Sequence, residues 1–68
     1  MAVKLYRKAA DQGWPIAQYN LGFMYYQGIR VPQNFSEALR LLRKAAEQGF
    51  EPAVAAIEDL PELAIANA

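Results

Sequence analysis

The 68-residue sequence contains no cysteine and no histidine. Without cysteine, no disulfide can staple a small core and no thiolate can ligate a metal or act as a nucleophile. Without histidine, imidazole metal ligation and every Ser-His or Cys-His nucleophile pair are excluded too. Neither charge is in excess, since seven Lys and Arg balance seven Asp and Glu. A nucleic-acid binder or an anionic-membrane binder needs a net positive field, so neither is an expected partner. No apolar run approaches the ~20 residues of a membrane-spanning helix, and the N-terminus does not read as a signal peptide. Met1-Ala2-Val3 instead enters directly into a helical pattern, as a fragment of a longer protein would. What is present is ordinary for a folded chain: 54% hydrophobic and 21% charged residues argue against disorder over most of the length. The size allows one small domain, short of what makes a single core comfortably stable.

The sequence repeats itself. At an offset of 36, Ala2 to Trp14 faces Ala38 to Phe50, and the match continues to Ala17 over Ala53. Arg7-Lys8-Ala9-Ala10 recurs as Arg43-Lys44-Ala45-Ala46, and Gln12-Gly13 recurs as Gln48-Gly49. The exchanges between them are conservative: Lys4 for Arg40, Asp11 for Glu47, Trp14 for Phe50. A period of this length has room for two helices of three or four turns with two short connections.

Local punctuation divides each period. A first helix is expected over about 2–12, stopping at Gly13, which suits the left-handed position after a helix end. A second is expected over 15–27, opened by Pro15 and closed by Gly28. After the loop Gly28 to Gln33, Asn34-Phe35-Ser36-Glu37 reads as a capping box, with Asn34 accepting from a first-turn N–H and Glu37 reaching back. The third helix then spans 35–48 and ends at Gly49. A fourth covers 51–60, where Pro61 discourages continuation. The domain reading is one helical repeat region over 1–60 and a C-terminal tail or weak capping turn over 61–68. No segment shows sustained period-2 alternation, so strands are not expected.

The third helix gathers Phe35, Ala38, Leu39, Leu41, Leu42, Ala45 and Ala46 in one apolar stripe, with Arg40, Arg43, Lys44 and Glu47 mostly outside it. The first repeats the stripe with Val3, Leu5, Tyr6, Ala9 and Ala10. Both read as outer helices, and their late alanine pairs allow close backbone approach. The second helix is apolar all round. Ala17, Leu21, Met24, Tyr25 and Gly28 share one side, while Ile16, Tyr19, Phe23 and Tyr26 share nearly the opposite one. Two readings of Tyr19, Phe23 and Tyr26 stand side by side. The rings pack on adjacent helices, or part of the row lines a groove for a peptide or protein partner.

The run from Ala17 to Gly28, AQYNLGFMYYQG, resembles the first helix of a Sel1-like repeat, a helical family related to tetratricopeptide repeats. Val31, Asn34, Ala38 and the Lys44 to Gly49 run resemble the loop and second helix of that family. One complete repeat, about Pro15 to Phe50, is covered, with parts of a preceding and a following one. Arg30 stands where the family has a second loop glycine, and Leu41-Leu42 where it often has Trp-Tyr. At the offset of 36, Gly22 and Leu21 become Glu58 and Ile57, which suggests a terminal capping unit rather than another standard repeat. The resulting fold class is all-α, antiparallel helix-turn-helix repeats forming a short right-handed α-solenoid. The resemblance implies a non-catalytic adaptor or scaffold that holds a protein or peptide, with no cofactor and no metal.

The charged residues offer two other functions. Glu58, Asp59 and Glu62 could supply an acid/base pair for a small hydrolase-type enzyme, but a solvated carboxylate run at a helix end is the stronger reading. Arg40, Arg43 and Lys44 could meet an acidic partner or phosphate, or simply form an exposed helix face. Because repeats bury their apolar faces only by stacking, fewer than two full repeats leave open ends, so dimerisation or helix exchange between copies is expected.

Overall fold

The computed structural model describes residues 2–59, with side chains from Lys4 onward. The Val3 side chain, the expected helix end at Leu60, the tail 61–68 and Glu62 therefore lie outside the described residues. Four helices are present among the described residues, α1 (Ala2–Asp11), α2 (Pro15–Gln27), α3 (Phe35–Glu47) and α4 (Glu51–Asp59), and no strand. The fold is all-α and built from helix-turn-helix repeats.

The two tight turns close by the same bonds, as their matching sequences require. After α1, Gly13 N–H donates to the Ala10 carbonyl at 2.9 Å and Trp14 N–H to the Ala9 carbonyl at 3.1 Å. After α3, Gly49 N–H donates to Ala46 at 2.9 Å and Phe50 N–H to Ala45 at 3.3 Å. Both glycines are left-handed, with φ of 94° and 83°. The glutamines before them belong to the turns rather than to the helices. Gln48 at the α3 C-cap has φ −89° and ψ 4°, and its N–H donates to the Ala45 carbonyl three residues back at 3.1 Å, which tightens the last turn.

The longer connection from α2 to α3 is pinned back onto α2. Gly28 takes the left-handed C-cap conformation, and Ile29 N–H donates to the Met24 carbonyl at 2.9 Å. Asn34 N–H donates to the Tyr25 carbonyl and the Gln33 side-chain amide to the Tyr26 carbonyl, each at 2.9 Å. Arg30 is the only non-glycine residue with positive φ among the described residues, at 65°. The Asn34 side chain caps α3 by accepting from Glu37 N–H at 3.0 Å. The other half of the expected capping box does not form. Its donor, Asn34 N–H, is already committed to Tyr25, and the Glu37 carboxylate turns forward to the Arg40 guanidinium.

Each helix packs on the next in sequence, with α2 against α3 the most extensive contact. The molecule measures 30 × 27 × 15 Å, a slab deep enough for two layers of helices. Such a slab has little enclosed interior, and among the described residues six of the nine buried hydrophobic ones are alanines. Among the described residues, only Leu21, Leu41 and Leu42 are large aliphatic side chains in the fully buried class. The doubly apolar α2 explains the arrangement. Ala17 and Leu21 join Ala10 and Leu41, with Tyr6, Ala9, Met24 and Tyr25 around them. On its other side Tyr19, Phe23 and Tyr26 pack with Leu42, Ala56, Phe35, Leu39 and Ile57.

One buried polar residue ties the repeats together. Gln18 is 3% exposed. It donates through Nε2 to the Ala10 carbonyl at 3.2 Å and accepts through Oε1 from Gln48 Nε2 at 2.9 Å. Both turns are thus held to one side chain of α2, and the amide's burial is compensated.

Candidate functional site

The residues Tyr19, Phe23 and Tyr26 follow one another at spacings of four and three, so they form a single stripe along α2. Each is half-buried. Tyr19 meets Phe23 edge-to-face with centroids 5.0 Å apart, and Phe23 meets Tyr26 the same way at 6.1 Å. The row is extended at both ends by the neighbouring repeat elements. Phe50, at the entry to α4, meets Tyr19 at 5.4 Å, and Phe35, at the start of α3, meets Tyr26 at 5.6 Å. Five rings therefore run continuously across the molecule, each fixing the next in an edge-on or tilted geometry.

Among the described residues, one flank of this row is open. Tyr19 and Phe23 line a groove of about 320 Å³ together with Pro52, Ala55, Ala56 and Asp59 of α4. The repeat register explains the gap. At the offset of 36, Ala55 corresponds to Tyr19 and Asp59 to Phe23, so α4 presents a methyl group and a short carboxylate where α2 presents rings. Two helices related by the repeat lie side by side, and the smaller residues of the second leave the aromatic wall of the first uncovered. Tyr26 is not part of this lining; it packs between Phe23 and Phe35. The groove lining combines two aromatic residues with small apolar ones and the acidic Asp59.

The pairing of Tyr19 with Ala55 and of Phe23 with Asp59 was not read from the sequence. The signal was available, because the same offset that reveals the repeat also says which residues occupy equivalent positions on neighbouring equivalent helices.

The other candidate residues lie apart. Arg40, Arg43 and Lys44 are exposed on the outer side of α3, around a shallow depression of about 330 Å³ completed by Ser36, Leu39 and Glu47. All six come from one helix. The Arg40 guanidinium bonds Glu37 and holds its carboxyl below the usual carboxylate range against the opposing effect of burial, helped by the charges of Arg40 and Arg7. Glu58 and Asp59 are exposed at the end of α4. Among the described residues, no helix is long and apolar enough to cross a membrane.

A third feature is an apolar face at the α1 end. Leu5 is 70% exposed, Trp14 59% and Ile16 58%. One period later Leu41, the counterpart of Leu5, is 3% exposed against Ala10, Ala17 and Leu21. Phe50, the counterpart of Trp14, rests on Tyr19.

Several curated proteins are similar to this chain. An uncharacterized protein of Neisseria meningitidis is 41% identical over 56 residues, covering 82% of this chain and 12% of the relative. A putative sel1-like repeat-containing protein of Acanthamoeba polyphaga mimivirus is 48% identical over 40 residues, 59% of this chain and 7% of the relative. The DAP3-binding cell death enhancer 1 of Rattus norvegicus is 38% identical over 52 residues, 76% of this chain and 10% of the relative. The chain thus spans about an eighth or less of the length of these relatives. No solved structure matches it significantly. The Sel1 repeat family model matches residues 1–14 and 15–50, the second of which is the complete period from Pro15 to Phe50. The chain belongs to the Sel1 repeat family.

Proposed function

We propose that this chain is a non-catalytic protein-interaction module, a scaffold or adaptor unit, and that it holds its partner in the groove between α2 and α4. The observation that carries the reading is the uncovered aromatic wall of Tyr19 and Phe23 facing the small residues Ala55 and Ala56. Tyrosine and phenylalanine offer large contact area with few rotors to freeze, which suits a binding hot spot. Membership of the Sel1 repeat family supports it, since these repeats generally serve as protein-interaction modules. A relative named for binding DAP3 is in keeping with such a role. The absence of histidine and cysteine, and the exposure of Glu58 and Asp59, weigh against catalysis.

The test is a pair of substitutions acting on peptides selected from a phage-displayed library of short random sequences. Tyr19→Ala removes the wall. Ala55→Tyr, at an exposed helix position, fills the gap with the residue of the equivalent α2 site. Both should weaken the selected peptides at least tenfold while helicity by circular dichroism is kept. Unchanged affinity in the folded Ala55→Tyr protein would refute the groove as the binding surface. Loss of folding in Tyr19→Ala, with unchanged binding in Ala55→Tyr, would show that the row only packs.

A second reading rests on the α1 face. Leu5 and Trp14 are bare where their counterparts one period later, Leu41 and Phe50, are covered, and Ile16 is exposed beside them, so this face accepts a further helical layer from a second copy. Sedimentation should then show a dimer that Leu5→Lys converts to monomer. A well-folded monomer at high concentration would remove this reading.

A further inference from the structure

The basic side chains of this neutral chain avoid the helices that flank the groove, while acidic ones stand on α1, α3 and α4. Lys4, Arg7, Lys8, Arg40, Arg43 and Lys44 all stand on α1 and α3. The helices that flank the groove carry none of them. α2 has no charged residue at all, and α4 has Glu51, Glu58 and Asp59 without a cation. Lys44 is the last basic residue of the sequence, so everything after α3 is neutral or acidic. Among the described residues, Asp59 is the one charged side chain in the groove lining, exposed and in repeat register with Phe23 on the opposite wall.

We infer that the groove takes a peptide segment carrying a Lys or Arg beside an apolar anchor, the anchor against Tyr19 and Phe23 and the cation at Asp59. The inference rests on the interaction groove proposed above and adds the chemistry of its occupant. The apolar walls select a hydrophobic side chain without regard to charge. The charge at the lining then sorts the candidates: an acidic segment meets the like charge of Asp59, whereas a basic one meets opposite charge. The basic side chains of α1 and α3 do not line the groove and so do not cancel this preference at contact range.

The probe is the same library of short random peptides, selected separately on the wild-type chain and on Asp59→Lys, an exposed substitution whose helicity is checked by circular dichroism. The wild-type pool should be enriched in Lys or Arg next to an aromatic or aliphatic residue. Its members should lose at least tenfold in affinity for Asp59→Lys and should weaken as salt is raised. The Asp59→Lys pool should lose the basic bias or turn acidic. Peptides that depend on the groove, shown by their loss in Ala55→Tyr, yet carry no basic bias or bind Asp59→Lys equally well, would overturn this inference and leave the groove standing. A pool whose binding is indifferent to Ala55→Tyr would overturn both.

Discussion

Gly22 of α2 lies against Leu42 of α3 so closely that a methyl group at its Cα would stand 3.0 Å from Leu42 Cγ and 3.2 Å from the Ala38 carbonyl oxygen. Leu42 is fully buried and the carbonyl is helical backbone, so neither can withdraw. The most extensive helix pair of the molecule therefore depends on the absence of a side chain at one position.

Gly22→Ala should accordingly destabilise the fold despite the helix propensity it adds. Alanine contributes about 0.5–1 kcal/mol in a helix interior, whereas overpacking a tight interface costs about 1–3 kcal/mol. A net loss on the order of 1 kcal/mol is expected in urea denaturation followed by circular dichroism. A stabilised variant would mean that α2 and α3 separate easily.

Arg30 should behave in the opposite sense. Its φ of 65° places a side-chain-bearing residue in the left-handed region, at a cost of about 1–2 kcal/mol that glycine does not carry. Arg30→Gly also loosens the unfolded chain, which offsets about 0.4–1 kcal/mol of the gain. A net stabilisation of about 0.5–1 kcal/mol should appear as a raised denaturation midpoint. A lower midpoint would refute the conformational argument.

Asn34→Ala should cost about 1 kcal/mol, because it removes the side-chain acceptor of Glu37 N–H at the start of α3. Asn34→Asp should keep the stability, since a carboxylate accepts the same bond and favours a helix N-terminus. Equal losses from both substitutions would show that the cap contributes nothing.

The Glu37–Arg40 pair sets a small pH dependence. The folded carboxyl is held below its usual range, so its contribution is complete above the ordinary glutamate pKa and fades as pH falls through the lower folded value. The pair is partly exposed and one turn apart, which limits it to a few tenths of a kcal/mol, roughly 0.2–0.5. The stability gap between wild type and Glu37→Gln should close on acidification. A gap unchanged from neutral to strongly acidic pH would contradict the assignment.

Much of this architecture is written locally in the sequence, and the reasons differ by element. The two identical turns were legible because Gln12-Gly13 and Gln48-Gly49 carry the backbone requirement in their own composition. The double role of α2 was legible from its apolar residues on both sides. The fate of Glu37 was not, because the competitor for Asn34 N–H is the Tyr25 carbonyl, which sequence spacing does not bring near. The aromatic stripe was legible as a stripe, while the groove beside it was not. A cleft is set by two helices at once, and the small partners Ala55 and Ala56 carry no signal until α4 is laid alongside α2. Tyr26 shows the same limit, sharing the stripe but turning toward Phe35.

The central claim, a binding groove between α2 and α4, is tested most directly by mapping backbone amide chemical shifts while a library-selected peptide is titrated into the labelled protein. The largest changes should fall at Tyr19, Phe23, Ala55, Ala56 and Asp59, with α1 and the outer side of α3 little affected. Changes centred on Leu5 and Ile16, or on Arg43 and Lys44, with the groove amides unmoved, would contradict it.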